Sequence, residues 1–157
     1  MHVTNEMVTL TPIGTVVGGR SDPVDDHWGE VRADIVIDDR FGVDALDGLS
    51  DFSHVDVVYV FHRVAEADVT TGARHPRGRK DWPRVGIFAQ RAKARPNRLG
   101  VSTCELLGVD GLRLHVAGLD AIDGTPVLDV KPHLAGFGPR GPVREPDWSL
   151  ELMRDYW

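Results

Sequence analysis

The chain has 157 residues, 41% of them hydrophobic and 27% charged, which fits one globular domain able to bury about two thirds of its unfolded surface without metal or disulfide staples. Its one cysteine, Cys104, excludes an internal disulfide framework and fits a reducing compartment, and no apolar run reaches the ~20 residues of a membrane-spanning helix. The formal net charge of −6 argues against a polyanion partner, but the distribution does not: Arg74 to Arg98 holds nine Lys or Arg and one acid, Asp81.

Residues 74–98 therefore carry +8, while the other 132 residues carry −14. A local positive field attracts phosphates or carboxylates whatever the total charge. The alternative is a solvated basic loop paired with acids, though only one acid lies within the run to pair with it.

The opening MHVTNEMVTLTP has neither the basic start nor the apolar core of a signal peptide, so residence in the cytoplasm is expected. Short apolar stretches rich in Val, Ile and Leu then follow one another. Strands are predicted at Val8–Val17, Val31–Ile37, Val55–Val64, Val85–Ala89, Leu99–Leu107, Leu112–Ala117 and Val127–Val130. Asp-Gly pairs at 47–48, 110–111 and 123–124 suit turns that need positive φ. Cys104 to Lys131 reads as a three-stranded meander. Helix is expected around Phe41 to Ser50 and at the C-terminal SLELMRDYW, capped by Asp147 or Ser149 after Pro146. Val69 to Arg84 reads as a long mobile loop, and 132–146, dense in Gly and Pro, as an irregular wrap. The fold class is mainly β: a single domain over residues 1–157 with a few short helices including a C-terminal one, its seven short strands forming a barrel or a sandwich, and the compact β-barrel is what the family resemblance given below implies.

Two familiar motifs fail on context. Gly136-Phe-Gly-Pro-Arg-Gly141 matches G-x-G-x-x-G, yet Pro139 and Pro142 prevent the helix start that would receive a phosphate. Seven histidines and one cysteine show no paired ligand spacing, so no metal site is expected. In the strand reading Val55, Val57, Tyr59, Phe61 and Arg63 share one face, and Val58, Val60, His62 and Val64 the other. His62 and Arg63 thus end a buried element with one polar group per face, or mark a strand emerging into solvent. Asp129 and Lys131 share a face, as a surface ion pair worth ~0–1 kcal/mol or as a polar pair in a cleft.

The most informative stretch is Gly86 to Ser102. An apolar strand runs into a basic loop with Arg91, Lys93 and Arg95, turns at Pro96-Asn97, and enters a second apolar strand. Arginine forks bind carboxylates and phosphates bidentately, and Asn offers a donor and an acceptor. The other reading is an ordinary hairpin with a basic tip.

The chain resembles the TrmO (YaeB, or TsaA-like) family of S-adenosylmethionine-dependent methyltransferases. Three blocks carry the resemblance: Ile13-Gly14-Thr15-Val16; Phe52-Ser53-His54 through Val60-Phe61-His62, with Gly86 to Ser102; and Leu119-Asp120 through Asp123-Gly124-Thr125-Pro126-Val127-Leu128-Asp129-Val130-Lys131-Pro132. It implies a β-barrel that binds S-adenosylmethionine, works as a homodimer and methylates N6 of threonylcarbamoyladenosine next to the tRNA anticodon. By the same resemblance the cofactor residues are His62, Arg63, Phe88, Arg91, Gly118, Leu119, Asp120 and Ala121, with Trp28, Gly29 and Glu30 from the loop before the second strand. Asp129, or in second place Asp123, is expected to take the proton lost from the acceptor nitrogen, while Asn97 and Lys131 orient it. The basic segment would face tRNA.

The chain departs from the family pattern at two places. Relatives commonly read Ala-Thr-Arg-Ser-Pro where this chain has Ala89-Gln90-Arg91-Ala92-Lys93, and Arg-Pro-Asn-Pro-Ile-Gly where it has Arg95-Pro96-Asn97-Arg98-Leu99-Gly100. Longer bacterial members carry a C-terminal extension associated with tRNA, whereas this sequence ends at Trp157. The alternatives are therefore a methyltransferase of a small molecule using the same pocket, or a non-catalytic module that binds S-adenosylmethionine or RNA.

Overall fold

Strict alternation of buried and exposed side chains runs through most of the chain's extended segments, and burying one face of each requires that they close on a common interior. In the computed structural model, which describes residues 5–157, they do so as a closed barrel. Residues 1–4, included in the domain expected from sequence, lie outside the described residues. The strands are β1 (Gly14–Val17), β2 (Arg32–Ile37), β3 (His54–Val60), β4 (Ala73–Arg74), β5 (Val85–Gly86), β6 (Leu99–Asp110), β7 (Arg113–Ala117) and β8 (Pro126–Pro132). Going round the barrel the order is β1-β2-β7-β6-β3-β8, every pairing antiparallel, with β8 returning to β1. β4 and β5 form a separate two-stranded ribbon.

Closure changes three expectations. The meander expected from Cys104 to Lys131 holds only for β6 and β7, joined at Asp110-Gly111 with Gly111 at φ 58°. β8 leaves β7 and pairs with β3 and β1 instead, because a barrel removes unpaired edges by inserting its last strand between distant ones. The strand expected from Val8 begins only at Gly14: Met7, Val8 and Leu10 are 92%, 83% and 59% exposed, since pairing starts where the Ile13 N–H donates to the Val127 carbonyl. β3 stops at Val60 and not at Val64, because the Phe61 N–H goes to the Arg98 carbonyl and the His62 N–H turns back to Val60.

The remaining elements refine the sequence reading. In place of the helix expected around Phe41 to Ser50 stand two 3-10 turns, Val43–Leu46 and Leu49–Asp51. Val85–Ala89 is a two-residue strand followed by a 3-10 turn at Ile87–Ala89. Val69 to Arg84 is not a bare loop, since it contains β4 and a turn at Pro76–Gly78. The C-terminal helix α1 spans Asp147–Met153; Pro146 stands at its N-cap without a side-chain cap, so neither Asp147 nor Ser149 caps it.

The interior is made by inward residues such as Val16, Ile35, Val57, Leu114, Val116 and Val127, each fully buried. Each contributes about 1.5–3 kcal/mol relative to exposure. One end of the barrel opens into an apolar bowl of about 530 Å³ beneath the two 3-10 turns, lined in part by Phe41, Leu46 and Val130. At the other end, where β1, β3 and β7 run out, Gly118 to Ala121 crosses the mouth.

Candidate functional site

β3 and β6 run side by side, with Tyr59 opposite Gly100 and Val57 opposite Ser102, all on the inward face. Gly100 has no side chain, and the Tyr59 ring occupies that space: a β-carbon at residue 100 would stand 2.5 Å from it. Phe61 meets the same ring edge-on, with centroids 5.4 Å apart. The Tyr59 hydroxyl is thereby aimed at the segment crossing the mouth, where it donates to Asp120 Oδ1 at 2.9 Å. Ser102 donates to the same oxygen, and Tyr156, reaching in from beyond α1, donates to Oδ2.

Asp120 is thus a half-buried carboxylate held by three hydroxyls, and among the described residues no Lys, Arg or His forms an ion pair with it. Burial, and then the Asp120 charge, push both the Tyr59 and Tyr156 phenols well above the ordinary tyrosine range, so both stay protonated donors. Arg91 and Arg77 oppose this at Tyr156 through their positive charge. Burial also raises the Cys104 thiol to about 12, with Asp120 and Asp56 adding to it.

The loop before β2 lies against this mouth. Trp28 is buried, its indole N–H donating to the Val24 carbonyl at 3.1 Å, and the Arg20 guanidinium stands 4.5 Å over its ring. Gly29 touches Gly118: a β-carbon on Gly118 would lie 3.3 Å from the Gly29 carbonyl oxygen. Glu30 is exposed. The structure therefore brings Trp28 and Gly29 to the Gly118-Leu119-Asp120-Ala121 crossing, although 90 residues separate them in sequence.

The other expected cofactor residues surround this mouth less closely. Arg91 Nη2 donates to the Val101 carbonyl at 2.6 Å, which fixes its side chain beside the start of β6. His62 and Arg63 lie in the exposed turn after β3, not on two faces of a strand. The His62 ring faces Gly124, where a β-carbon would lie 3.7 Å from Nε2, and Arg63 Nη1 donates to the Ser21 carbonyl at 2.8 Å. Phe88 is 75% exposed on its 3-10 turn.

The four residues expected to handle the acceptor do not form one cluster. Asp129 and Lys131 pair at 2.8 Å on β8, with both side chains substantially exposed. That ion pair raises the Lys131 ammonium above its ordinary range. Asp123 Oδ1 accepts the Gly18 N–H at 2.8 Å and so holds the loop after β1. Asn97 is exposed on its 3-10 turn at φ 62°, followed by Arg98 at φ 51°. A proline cannot adopt the Arg98 conformation, so the departure from Arg-Pro-Asn-Pro is a change of backbone shape as well as of charge. Arg98 Nη1 fastens that shape by donating to the Val64 carbonyl at 2.6 Å.

Sequence reasoning missed Tyr59, Ser102 and Tyr156 as site residues. The first two carried a signal: in antiparallel strands a glycine opposite a tyrosine makes room for its ring, and an inward serine needs a polar partner. Tyr156 carried none, because only the docking of the C-terminal segment brings it to the mouth.

The donor set fits the expected S-adenosylmethionine. A carboxylate held by neutral hydroxyls, with no ion pair among the described residues, leaves its charge to a cation such as a sulfonium, and two of those hydroxyls come from the Tyr59 and Tyr156 rings.

Comparison with known proteins bears on the same region. The family model described as the tRNA-methyltransferase O N-terminal domain matches residues 23–138. The chain is 40% identical over 130 residues to a probable S-adenosyl-L-methionine-binding protein of Methanothermobacter thermautotrophicus, covering 80% of this chain and 90% of that one. It is 36% identical over 109 residues to the tRNA (adenine(37)-N6)-methyltransferase of Homo sapiens, covering 68% of this chain and 24% of that protein. Among solved structures, TrmO from Pseudomonas aeruginosa superposes with a TM-score of 0.72 at 29% identity, covering 88% of this chain and 61% of that one. The chain spans 21% to 39% of the length of the mouse, human and Pseudomonas aeruginosa curated relatives it matches.

Proposed function

Because the chain belongs to the tRNA-methyltransferase O family, we propose that it is an S-adenosylmethionine-dependent methyltransferase acting on N6 of threonylcarbamoyladenosine next to the tRNA anticodon. The observation that carries this reading is the Asp120 carboxylate, which forms no ion pair among the described residues and is set in the barrel mouth within the region that matches the family. S-adenosylmethionine supplies an electrophilic methyl on a sulfonium when bound.

The residues divide the work by position. Gly118 to Ala121, Trp28 and Gly29 form the wall on which the donor lies, and Asp120 provides the negative charge. Arg91, fixed on Val101, and His62 and Arg63, from the turn after β3, complete the rim. Methyl transfer needs the acceptor nitrogen in line with the methyl–sulfur bond, so orienting groups supply much of the acceleration. Asn97 and Lys131 are proposed to orient the acceptor, and Asp129 to receive its proton. Asp129 is preferred to Asp123 because it stands beside Lys131 on β8, where it also accepts the Val130 N–H, whereas Asp123 holds the Gly18 N–H in the loop after β1.

The basic segment is proposed to face tRNA. Arg77 is paired with Asp25 and Asp26, acids from outside the run, and Arg79 with Asp81. Lys80, Arg84 and Lys93 are exposed and form no ion pair among the described residues. A homodimer in the cytoplasm completes the proposal, with the exposed Val101 and Leu107 on the outer face of β6 supplying apolar surface for a second copy.

The test is incubation with labelled S-adenosylmethionine and total tRNA, followed by mass spectrometry of nucleosides. Label in N6-methylated threonylcarbamoyladenosine is expected. Label in a small metabolite, or donor bound but not consumed, overturns it.

A further inference from the structure

The segment after α1 is bound to the barrel mouth through links of different kinds. The His27 and Trp28 N–H groups donate to the carbonyls of Asp155 and Tyr156, both at 2.8 Å. The Trp157 backbone lies so close to Gly29 that a β-carbon there would stand 2.7 Å from the Trp157 carbonyl carbon. Further back, Trp82 Nε1 donates to Glu151 Oε2 at 2.9 Å and anchors α1 itself. These contacts suffice to hold the tail in place. The Tyr156 hydroxyl does something else: it reaches Asp120 Oδ2, the oxygen that Tyr59 and Ser102 leave unheld.

A carboxylate bonded through one oxygen is free to swing about its terminal torsion, whereas one held through both oxygens has a fixed plane. Resting on the reading of the mouth as a donor site, we propose that Tyr156 is a positioning residue: it clamps Asp120 so that the carboxylate presents its charge and its remaining lone pair to the sulfonium of the methyl donor. The protein thereby distinguishes the cationic donor from the neutral thioether left after transfer, because only the donor gains from an oriented anion. Binding of the substrate and release of the product then depend on one phenol supplied by the C-terminal segment.

The experiment is calorimetric titration of S-adenosylmethionine and S-adenosylhomocysteine into wild type, Tyr156→Phe, Ser102→Ala and Glu151→Gln, with thermal unfolding of each. Wild type is expected to bind the cationic donor more tightly than the thioether. Tyr156→Phe should weaken donor binding about tenfold, the scale of a lost hydrogen bond to a charged group, and thioether binding less than twofold. Ser102→Ala, which leaves the other carboxylate oxygen to the Tyr59 hydroxyl alone, should move the same ratio in the same direction by a smaller amount and keeps the test decisive if Tyr156→Phe fails to fold. Glu151→Gln loosens only the α1 anchor and should leave the ratio unchanged. If wild type binds neither ligand, the donor-site reading itself falls. If wild type binds and the Tyr156→Phe ratio is unaltered, or both ligands weaken equally, the positioning role is overturned. Tighter binding of both by Tyr156→Phe also overturns it, since the tail would then exclude the ligand.

Discussion

Gly100 and Tyr59 face each other across the β3–β6 ladder, and the phenol ring fills the volume a side chain at residue 100 would need. The site geometry depends on this, because Tyr59 in that position donates to Asp120. Gly100→Ala is therefore expected to push the ring off its rotamer and destabilise the fold by about 1–3 kcal/mol, the scale of overpacking a filled interior. The same variant should lose donor affinity, because the Asp120 hydroxyl set is disturbed. Unchanged thermal unfolding together with unchanged calorimetric affinity counts against the arrangement.

Residues whose neighbours lie in their own strand were legible in the sequence, and residues whose neighbours arrive by closure were not. Alternation in HVDVVYV and LGVSTCEL identifies inward faces directly, which is why a mainly β fold, barrel or sandwich, could be read from the pattern, while the choice of a barrel came from the family resemblance. The partner of β8 is decided by which strands remain unpaired after β1, β2, β6 and β7 have joined, and local pattern does not encode that. Likewise Trp28 and Gly29 could be placed beside Gly118 to Ala121 only through the family resemblance, since their contact is made by a crossing chain. The 3-10 turns after Phe41 looked helical because the strand alternation is lost there, and each ends within four residues.

Asp34 gives the fold a definite response to acid. On the outer barrel face its carboxylate meets Arg113 Nη1 and His115 Nδ1, each at 2.6 Å. Partial burial alone would raise its pKa, but the hydrogen bonds from Arg113 and His115 and their charges outweigh that and hold it below the ordinary carboxylate range. A carboxylate depressed in the folded state stabilises that state above its unfolded value of about 3.9, and the contribution is lost as pH falls through the folded value. Asp34→Asn should therefore lower the thermal midpoint at pH 6, with the gap to wild type closing below about pH 4. A gap that widens in acid contradicts the assignment.

Asp129 gives a kinetic prediction that separates chemistry from binding. Its carboxylate pairs with Lys131 and forms no hydrogen bond with the Asp120 hydroxyl set, so Asp129→Asn leaves the hydrogen bonds of the proposed donor wall intact. Loss of a general base typically lowers the rate 10²–10⁴-fold, and a fall of about 10² in kcat with donor affinity within twofold of wild type is expected. Turnover equal to wild type would remove Asp129 from the proton path.

The basic segment predicts how binding should respond to salt. Lys80, Arg84 and Lys93 point into solvent without acidic partners among the described residues, whereas the Arg77 and Arg79 charges are already engaged by Asp26 and Asp81. Each free cation that neutralises a phosphate releases counterions, so log affinity for tRNA falls with log salt by a slope that counts such contacts. Replacing Lys80, Arg84 and Lys93 together by Ala should weaken tRNA binding and flatten that slope by about one per residue removed, while S-adenosylmethionine affinity stays as in wild type. Replacing Arg79 alone should change the slope less, because its guanidinium is held by Asp81 and stacked 3.9 Å over the Trp82 ring. A wild-type slope near zero would mean that this surface does not meet a polyanion, and the +8 run would then be a solvated basic loop.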